Sequence, residues 1–179
     1  DGFWIDQTEV TNAMYKKCVD DKNCEAPSQS GSSTRSSYYD NITYSDFPVI
    51  YVNWNQANAY CQWAGRHLPT EDQWEYAARG TDGRIFPWGN NSPTCDLANF
   101  SGCLGDTGRV GGRTAGQSPF GAFNMAGNVM EWVADSSSGY PAGSIGPPNE
   151  SYNILRGGSW LDLLKDIRSA FRGWLFTAD

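Results

Sequence analysis

Apolar residues recur at three- and four-residue spacing in residues 54–64, where Ala57, Tyr60, Cys61 and Ala64 would lie on one face of a helix. This spacing predicts an amphipathic helix that packs one side against a core. Cys61 occupies an apolar position of that face, so we expect it to be a small buried hydrophobic residue rather than a reactive thiol.

A second helix is indicated by its ends as well as by its pattern. Thr70 and Gln73 have the spacing of a capping box, in which each side chain satisfies the backbone N–H of the other residue. Gly80 follows the last helical residue, where a glycine commonly ends a helix. These signals predict a helix over residues 71–79.

The remaining pattern is sparse. Residues 4–11 suggest a strand whose last residue, a threonine, caps a first helix over residues 12–20. Residues 50–52, 129–133 and 154–160 suggest short extended segments, the last one broken by a pair of glycines. The pattern therefore predicts an α+β chain with two main helices, short strands and much irregular loop.

Composition narrows the class of protein. The chain has 179 residues, 39% hydrophobic and 14% aromatic, with 20 glycines, which suits one compact, loop-rich domain spanning 1–179. The formal charge of −7 argues against nucleic-acid binding, and no apolar run is long enough for membrane insertion. A single histidine makes most histidine-dependent hydrolases and zinc sites poor candidates.

The cysteines indicate the redox compartment. Cys18 and Cys24 enclose one short polar loop, and Cys95 and Cys103 enclose another, which is typical of local disulfides formed in an oxidising environment. Free thiols are the alternative, because spacing alone does not establish connectivity. Neither pair has the C-x-x-C spacing of a zinc site.

Four motifs resemble the sulfatase-modifying, formylglycine-generating enzyme family. They are RHLPTEDQWEYAARG at 66–80, FPWG at 86–89, NMAGNVMEW at 124–132 and LRGGSW at 155–160. The resemblance runs along nearly the whole chain and implies that family's irregular, loop-rich variant of the C-type lectin fold. It also leads us to expect a chain without its closing C-terminal strand. From the residues themselves we expect Ile167 to pack in the core and four tryptophans to be core or near-core: Trp74, Trp88, Trp132 and Trp160.

The resemblance to the family does not extend to its chemistry. Its oxidising members carry a cysteine pair shortly after the Gly-Gly-Ser-aromatic motif, and two soft thiolates suit copper(I). Residues 161–172 contain no cysteine. We therefore expect a chain without catalytic residues or copper, and a copper-dependent oxidase acting on a peptide cysteine is the alternative.

The segment after Trp160 suggests a binding face instead. Its apolar residues look like a contact patch on an acidic domain, whereas Arg168 and Arg172 match family arginines that brace loops. The arrangement is similar to the variable ligand-binding proteins made by diversity-generating retroelements. The resemblance implies a protein or cell-surface ligand and a location outside the cell, on the cell surface or on a virion; an accessory domain of a receptor or kinase is another reading. The expected ligand-binding residues are Leu161, Asp162, Leu163, Leu164, Lys165, Phe171, Gly173, Trp174, Leu175 and Phe176.

A structural calcium site is also implied by the resemblance. Its ligands would be Asn124, Gly127, Val129 and Glu131, which offer a side-chain amide, two backbone carbonyls and a carboxylate. The alternative is that the polar side chains only hydrogen-bond neighbouring loops. A second family position falls near Asn99, Phe100 and Asp106, where the spacing fits less well.

Overall fold

The computed structural model describes residues 2–136 and 152–176, with side chains described as far as residue 173 at the C-terminal end. The described residues form three α-helices: α1 (Asn12–Asp20), α2 (Trp54–Trp63) and α3 (Glu71–Arg79). Short 3-10 turns lie at Ile42–Tyr44, Thr114–Gly116 and Leu164–Asp166. None of the described helices is long and apolar enough to cross a membrane.

The helices begin where their capping residues predict. Thr11 accepts a hydrogen bond from the Met14 amide at the start of α1. Thr70 and Gln73 form the predicted capping box of α3, and Gly80 ends that helix with φ = 66°. The three predicted helices are therefore confirmed, with α2 one residue shorter than expected.

An antiparallel sheet of order β1-β2-β3 lies beside α3, with strands β1 (Glu131–Ser136), β2 (Tyr152–Arg156) and β3 (Arg172–Phe176). Trp74 packs here with Ala77, Val133 and Ile154. Because α3 covers the sheet, this cluster is the main core, and it confirms the predicted α+β class.

Two predicted strands are wrong. The segment 4–11 forms only an isolated bridge from Thr11 to Pro48, because a proline has no N–H with which to extend a ladder. Tyr51 has φ = 59°, so residues 50–52 do not continue as extended backbone.

The remaining strands differ at their ends. β1 begins two residues later than predicted and extends to Ser136, and β2 ends before Gly157 and Gly158, whose φ values are 89° and 72°. β3 was not predicted, and it pairs with the whole of β2. Its pairing depends on a partner nearly twenty residues away, which local periodicity does not reveal.

Both predicted disulfides are present, Cys18–Cys24 and Cys95–Cys103. Cys61 is a free thiol, as predicted, but it is half-buried at the edge of the α1–α2 cluster rather than enclosed in the core. Its position near the end of α2 leaves one side of the side chain uncovered. Among the predicted core residues, Trp74, Trp160 and Ile167 are buried, whereas Trp88 and Trp132 are half-buried.

Candidate functional site

Three leucines stand out on the loop after Trp160. Leu161, Leu163 and Leu164 are 66%, 58% and 46% exposed, and the neighbouring Lys165 is exposed as well. Side chains of this size normally lose water contact on folding, so a sequence-local group of exposed leucines is a candidate contact surface. We call these four residues the leucine loop.

The leucine loop is held by polar contacts at its base. Asp162 accepts hydrogen bonds from the Ser159 amide and hydroxyl, both at 2.7 Å. The Ser101 amide donates to the Asp162 carbonyl at 2.9 Å. Asp162, predicted as a ligand-binding residue, is therefore half-buried and shapes the loop itself.

A glycine allows the chain to return under the loop. A Cβ on Gly158 would lie 2.5 Å from the Asp166 carbonyl oxygen and 2.9 Å from Ile167, and Gly158 has a positive φ. No other residue would fit here without moving that backbone. Ile167 is fully buried and fixes the end of the loop to the core.

Arg156 connects the segment after the loop to α3. Its guanidinium is fully buried and donates to the carbonyl oxygens of Phe171 and Ser169 at 2.6 and 2.8 Å. It also pairs with Glu75 and lies 3.5 Å from Glu71. One buried cation therefore joins β2, α3 and the turn that precedes β3.

Two predicted loop-bracing arginines have that role in the structure. Arg172 donates to Glu71 Oε2 at 2.7 Å, and Arg168 donates to the Lys165 carbonyl at 2.7 Å. These contacts make the segment 165–172 a fixed part of the scaffold.

The other predicted face residues have mixed positions. Phe171 is half-buried, and Gly173 lies in β3 opposite Leu155, where a Cβ would approach Met130 at 3.4 Å. The predicted Trp174, Leu175 and Phe176 have described backbone in β3, but their side chains lie outside the described part. Among the predicted face residues whose side chains are described, the exposed ones are those of the leucine loop.

The predicted calcium ligands lie in the loop before β1 and at its first residue. Asn124 is buried with φ = 56°, and its Nδ2 donates to Glu9 Oε2 at 2.9 Å. Glu131 Oε2 accepts a hydrogen bond from the indole of Trp74 at 2.8 Å. Gly127 also has a positive φ, and a Cβ there would lie 2.2 Å from the Asn99 carbonyl oxygen.

Glu9 is a second acid at this position, and sequence reasoning missed it. It is buried, and its oxygens accept from Asn124 and from Asn128, whose Nδ2 lies 2.8 Å from Oε1. Its place in a stretch read as a strand gave no signal, because only the tertiary fold brings residue 9 to residue 131.

Burial raises the pKa of Glu9 to about 7, and burial followed by repulsion from Glu9 raises the pKa of Glu131 to about 8. Both carboxyl groups line one cavity of about 880 Å³. Two acids that resist ionisation together are stabilised by a shared cation. Calcium prefers oxygen ligands, and the predicted set that would hold it is Asn124, Gly127, Val129 and Glu131, with Glu9 beside them. Calcium binding at this position stays a prediction.

The five cysteines are divided between two disulfides and one free thiol. Four cysteines are in disulfides, and burial raises the pKa of the Cys61 thiol to about 11, which disfavours the reactive thiolate. Within residues 2–136 and 152–176, no three His, Cys, Asp or Glu side chains gather in a group able to hold a metal ion. The predicted calcium position would combine the Glu131 carboxylate with a side-chain amide and backbone carbonyl oxygens.

Comparison with known proteins supports the fold. The sequence profile of the Sulfatase-modifying factor enzyme 1-like domain matches residues 1–178. Hercynine oxygenase from Mycolicibacterium smegmatis is 31% identical over 210 aligned residues, which cover 96% of this chain and 49% of that protein. Inactive C-alpha-formylglycine-generating enzyme 2 from Bos taurus is 38% identical over 127 residues, covering 65% of this chain and 40% of that protein.

A solved structure, Treponema denticola variable protein 1, matches with a TM-score of 0.68 at 20% identity, covering 96% of this chain and 78% of that chain. This likeness shows the fold alone. The chain spans about half of the hercynine oxygenase and less of the formylglycine-generating relative. The fold expected from the four motifs is thereby confirmed.

Proposed function

The chain belongs to the sulfatase-modifying factor enzyme 1-like family, and from that premise we propose that it is a non-catalytic ligand-binding domain. Its binding face is the leucine loop together with the C-terminal segment that follows. The observation that carries the proposal is the exposure of Leu161, Leu163 and Leu164 on a loop whose base is fixed.

A rigid base with exposed apolar side chains suits binding, because little conformational entropy is lost when the partner docks. Ser159, Asp162 and Ile167 fix the two ends of the loop, while the leucines between them contact solvent. Substitution of the leucines would therefore alter the surface without altering the fold. A solved protein of the same fold is described as a variable protein, which agrees with this division of roles.

The partner we propose is a protein or cell-surface ligand met outside the cell, on a cell surface or on a virion. Two disulfides support an oxidising compartment. Calcium at the Asn124–Glu131 position would act as a structural cofactor, since it would offset the charge of the buried Glu9 and the half-buried Glu131.

A display library tests the division between face and scaffold. Positions 161, 163, 164 and 165 are randomised in one library, and positions 167 and 169, which are buried, in a matched control library. We expect most clones of the first library to resist protease and most of the second to be cleaved, because only the second disturbs the core. Loss of protease resistance in the first library would contradict a binding face there.

Catalysis is the second candidate, because the hercynine oxygenase relative aligns with 96% of the chain. Copper titration followed by oxygen uptake with a cysteine-containing peptide distinguishes the two. We expect no oxygen uptake above that of free copper with the same peptide. Copper-dependent turnover that saturates with the peptide would overturn the binding proposal in favour of an oxidase.

A further inference from the structure

The second family cation position, around Asn99, Phe100 and Asp106, contains a buried carboxylate whose oxygens are already used. Asp106 Oδ2 accepts from the Ser32 hydroxyl at 2.6 Å and from the Thr34 amide and hydroxyl at 2.8 and 2.7 Å. Asp106 Oδ1 accepts from the Thr107 amide at 2.7 Å. A metal ion would have to displace these donors.

The amide of Asn99 is engaged in the same way. Its Oδ1 accepts from the Leu104 amide at 3.3 Å, and its Nδ2 donates to the Asp106 carbonyl at 2.8 Å and to Asn128 Oδ1 at 3.2 Å. Both ends of this side chain therefore serve the protein's own hydrogen bonds. The residues present do not fit a calcium ion.

A cation is nevertheless present, supplied by the chain. Arg35 Nη1 lies 3.4 Å from Asp106 Oδ1, and the guanidinium donates to the Thr107 hydroxyl and carbonyl at 2.9 and 3.0 Å. The guanidinium also lies over the rings of Tyr44 and Phe47, at 4.8 and 5.1 Å from their centres. Aromatic faces favour a cation in this setting.

The two family cation positions differ in the groups that contact their carboxylates. Hydrogen bonds from Ser32, Thr34 and Thr107 lower the pKa of Asp106 although burial alone would raise it, so this carboxylate stays ionised. At the other position, Glu9 accepts hydrogen bonds from the side-chain amides of Asn124 and Asn128, and Glu131 accepts one from the indole of Trp74. The carboxylate of the second position thus lies within ion-pair distance of a guanidinium, whereas the side-chain hydrogen bonds described at the first position come from neutral donors.

We propose that Arg35 is the resident cation of the second family position, where it replaces a metal ion and anchors the 26–46 loop without calcium. Arg35 is the only Lys or Arg in that loop. The loop also supplies Ser32 and Thr34, which donate hydrogen bonds to Asp106. Asp106 therefore joins three residues of the loop to the core.

Hydrogen exchange of the Thr34 and Tyr38 amides, which bond to Asp106 and to the Ser30 carbonyl, measures this anchoring. The measurement is made in the Glu131→Gln background, which disables the first cation position, in calcium and in EDTA. We expect equal exchange rates in both. Faster exchange in EDTA that calcium reverses would overturn the proposal, because a metal would then be holding the loop.

Arg35→Gln removes the charge, and we expect at least a roughly tenfold faster exchange of the same amides, because charged hydrogen bonds to a buried group are lost. The matched control is Arg109→Gln, which removes an exposed arginine paired with Asp46 of the same loop and should change the rates little. Equal effects of the two variants would also overturn the proposal. The comparison of calcium with EDTA needs no Arg35 variant, so it decides even if Arg35→Gln does not fold. Neither measurement involves the leucine loop, so the proposed function is tested separately.

Discussion

Replacing Arg156 by methionine tests whether one buried cation positions the segment beneath the leucine loop. Methionine keeps most of the side-chain length and its packing over Trp74, whose ring centre lies 5.1 Å from the guanidinium carbon. The substitution removes the donors to the Phe171 and Ser169 carbonyls. It also removes the positive charge beside two carboxylates of α3.

The magnitude follows from the groups that remain. Two acceptors lose a charged donor, at about 1–3 kcal/mol each. The carboxylates keep other partners, since Glu71 retains Arg172 and Glu75 retains Arg79. The loss of charge therefore adds less than removal of the sole partner of a buried ion would. We expect the free energy of unfolding to fall by about 3–5 kcal/mol in total.

Urea unfolding at pH 7, followed by tryptophan fluorescence with the disulfides intact, measures this loss. Arg79→Met is the matched control, since Arg79 is partly exposed and pairs with Glu75 within one turn of α3. We expect it to cost under about 1 kcal/mol. A loss for Arg156→Met as small as that of the control would refute the role of Arg156 in holding this segment.

Three further predictions use other sites. Unreduced digests should link Cys18 to Cys24 and Cys95 to Cys103, and the raised pKa of Cys61 should make it label slowly at pH 8; fast labelling of the folded protein would contradict its desolvation. In EDTA the free energy of unfolding should fall as pH rises from 4.5 to about 8, because the raised pKa values of Glu9 and Glu131 mean that the folded state binds more protons in that window. Calcium should restore stability at pH 8 in the wild type but not in Glu131→Gln. An equal rise in melting temperature in both proteins would exclude Glu131 as a calcium ligand. Trp174→Ala should cost well under the ~3–5 kcal/mol of a buried aromatic truncation, and a loss of that size in thermal denaturation would place Trp174 in the core.

Local signals were enough for the helices. A capping residue acts within three positions of its own place in the chain, so Thr11 and Thr70 mark helix starts without knowledge of the fold. The cysteine loops are equally local. By contrast, residues 4–11 and 50–52 were predicted as strand from local pattern alone. The bridge from Thr11 to Pro48 and the positive φ of Tyr51 show that neither segment continues as one.

The residues of the candidate sites were also predictable only where their signal is local in the sequence. Leu161, Leu163 and Leu164 are exposed, as a contact patch requires, and ligand binding by them stays a prediction. Glu9 and Arg35 were missed because their polar partners, Asn124 for Glu9 and Thr107 for Arg35, lie more than 70 residues away in the sequence. For Arg35, the one signal in the sequence was its place as the single arginine of a loop rich in serine and tyrosine.

Binding by matched surface variants tests the central claim most directly. Wild-type protein, a triple variant (Leu161→Ser, Leu163→Ser, Leu164→Ser) and a control (Ile42→Ser) are applied to a panel of extracellular proteins and whole cells. Ile42 is an apolar residue of another loop and is 85% exposed, so its replacement matches the chemistry at a different surface. We predict that any binding seen with wild type is retained by Ile42→Ser and reduced at least about tenfold in the triple variant, since a few apolar anchors dominate an interface. Binding that is unchanged in a folded triple variant would contradict the assignment of the face.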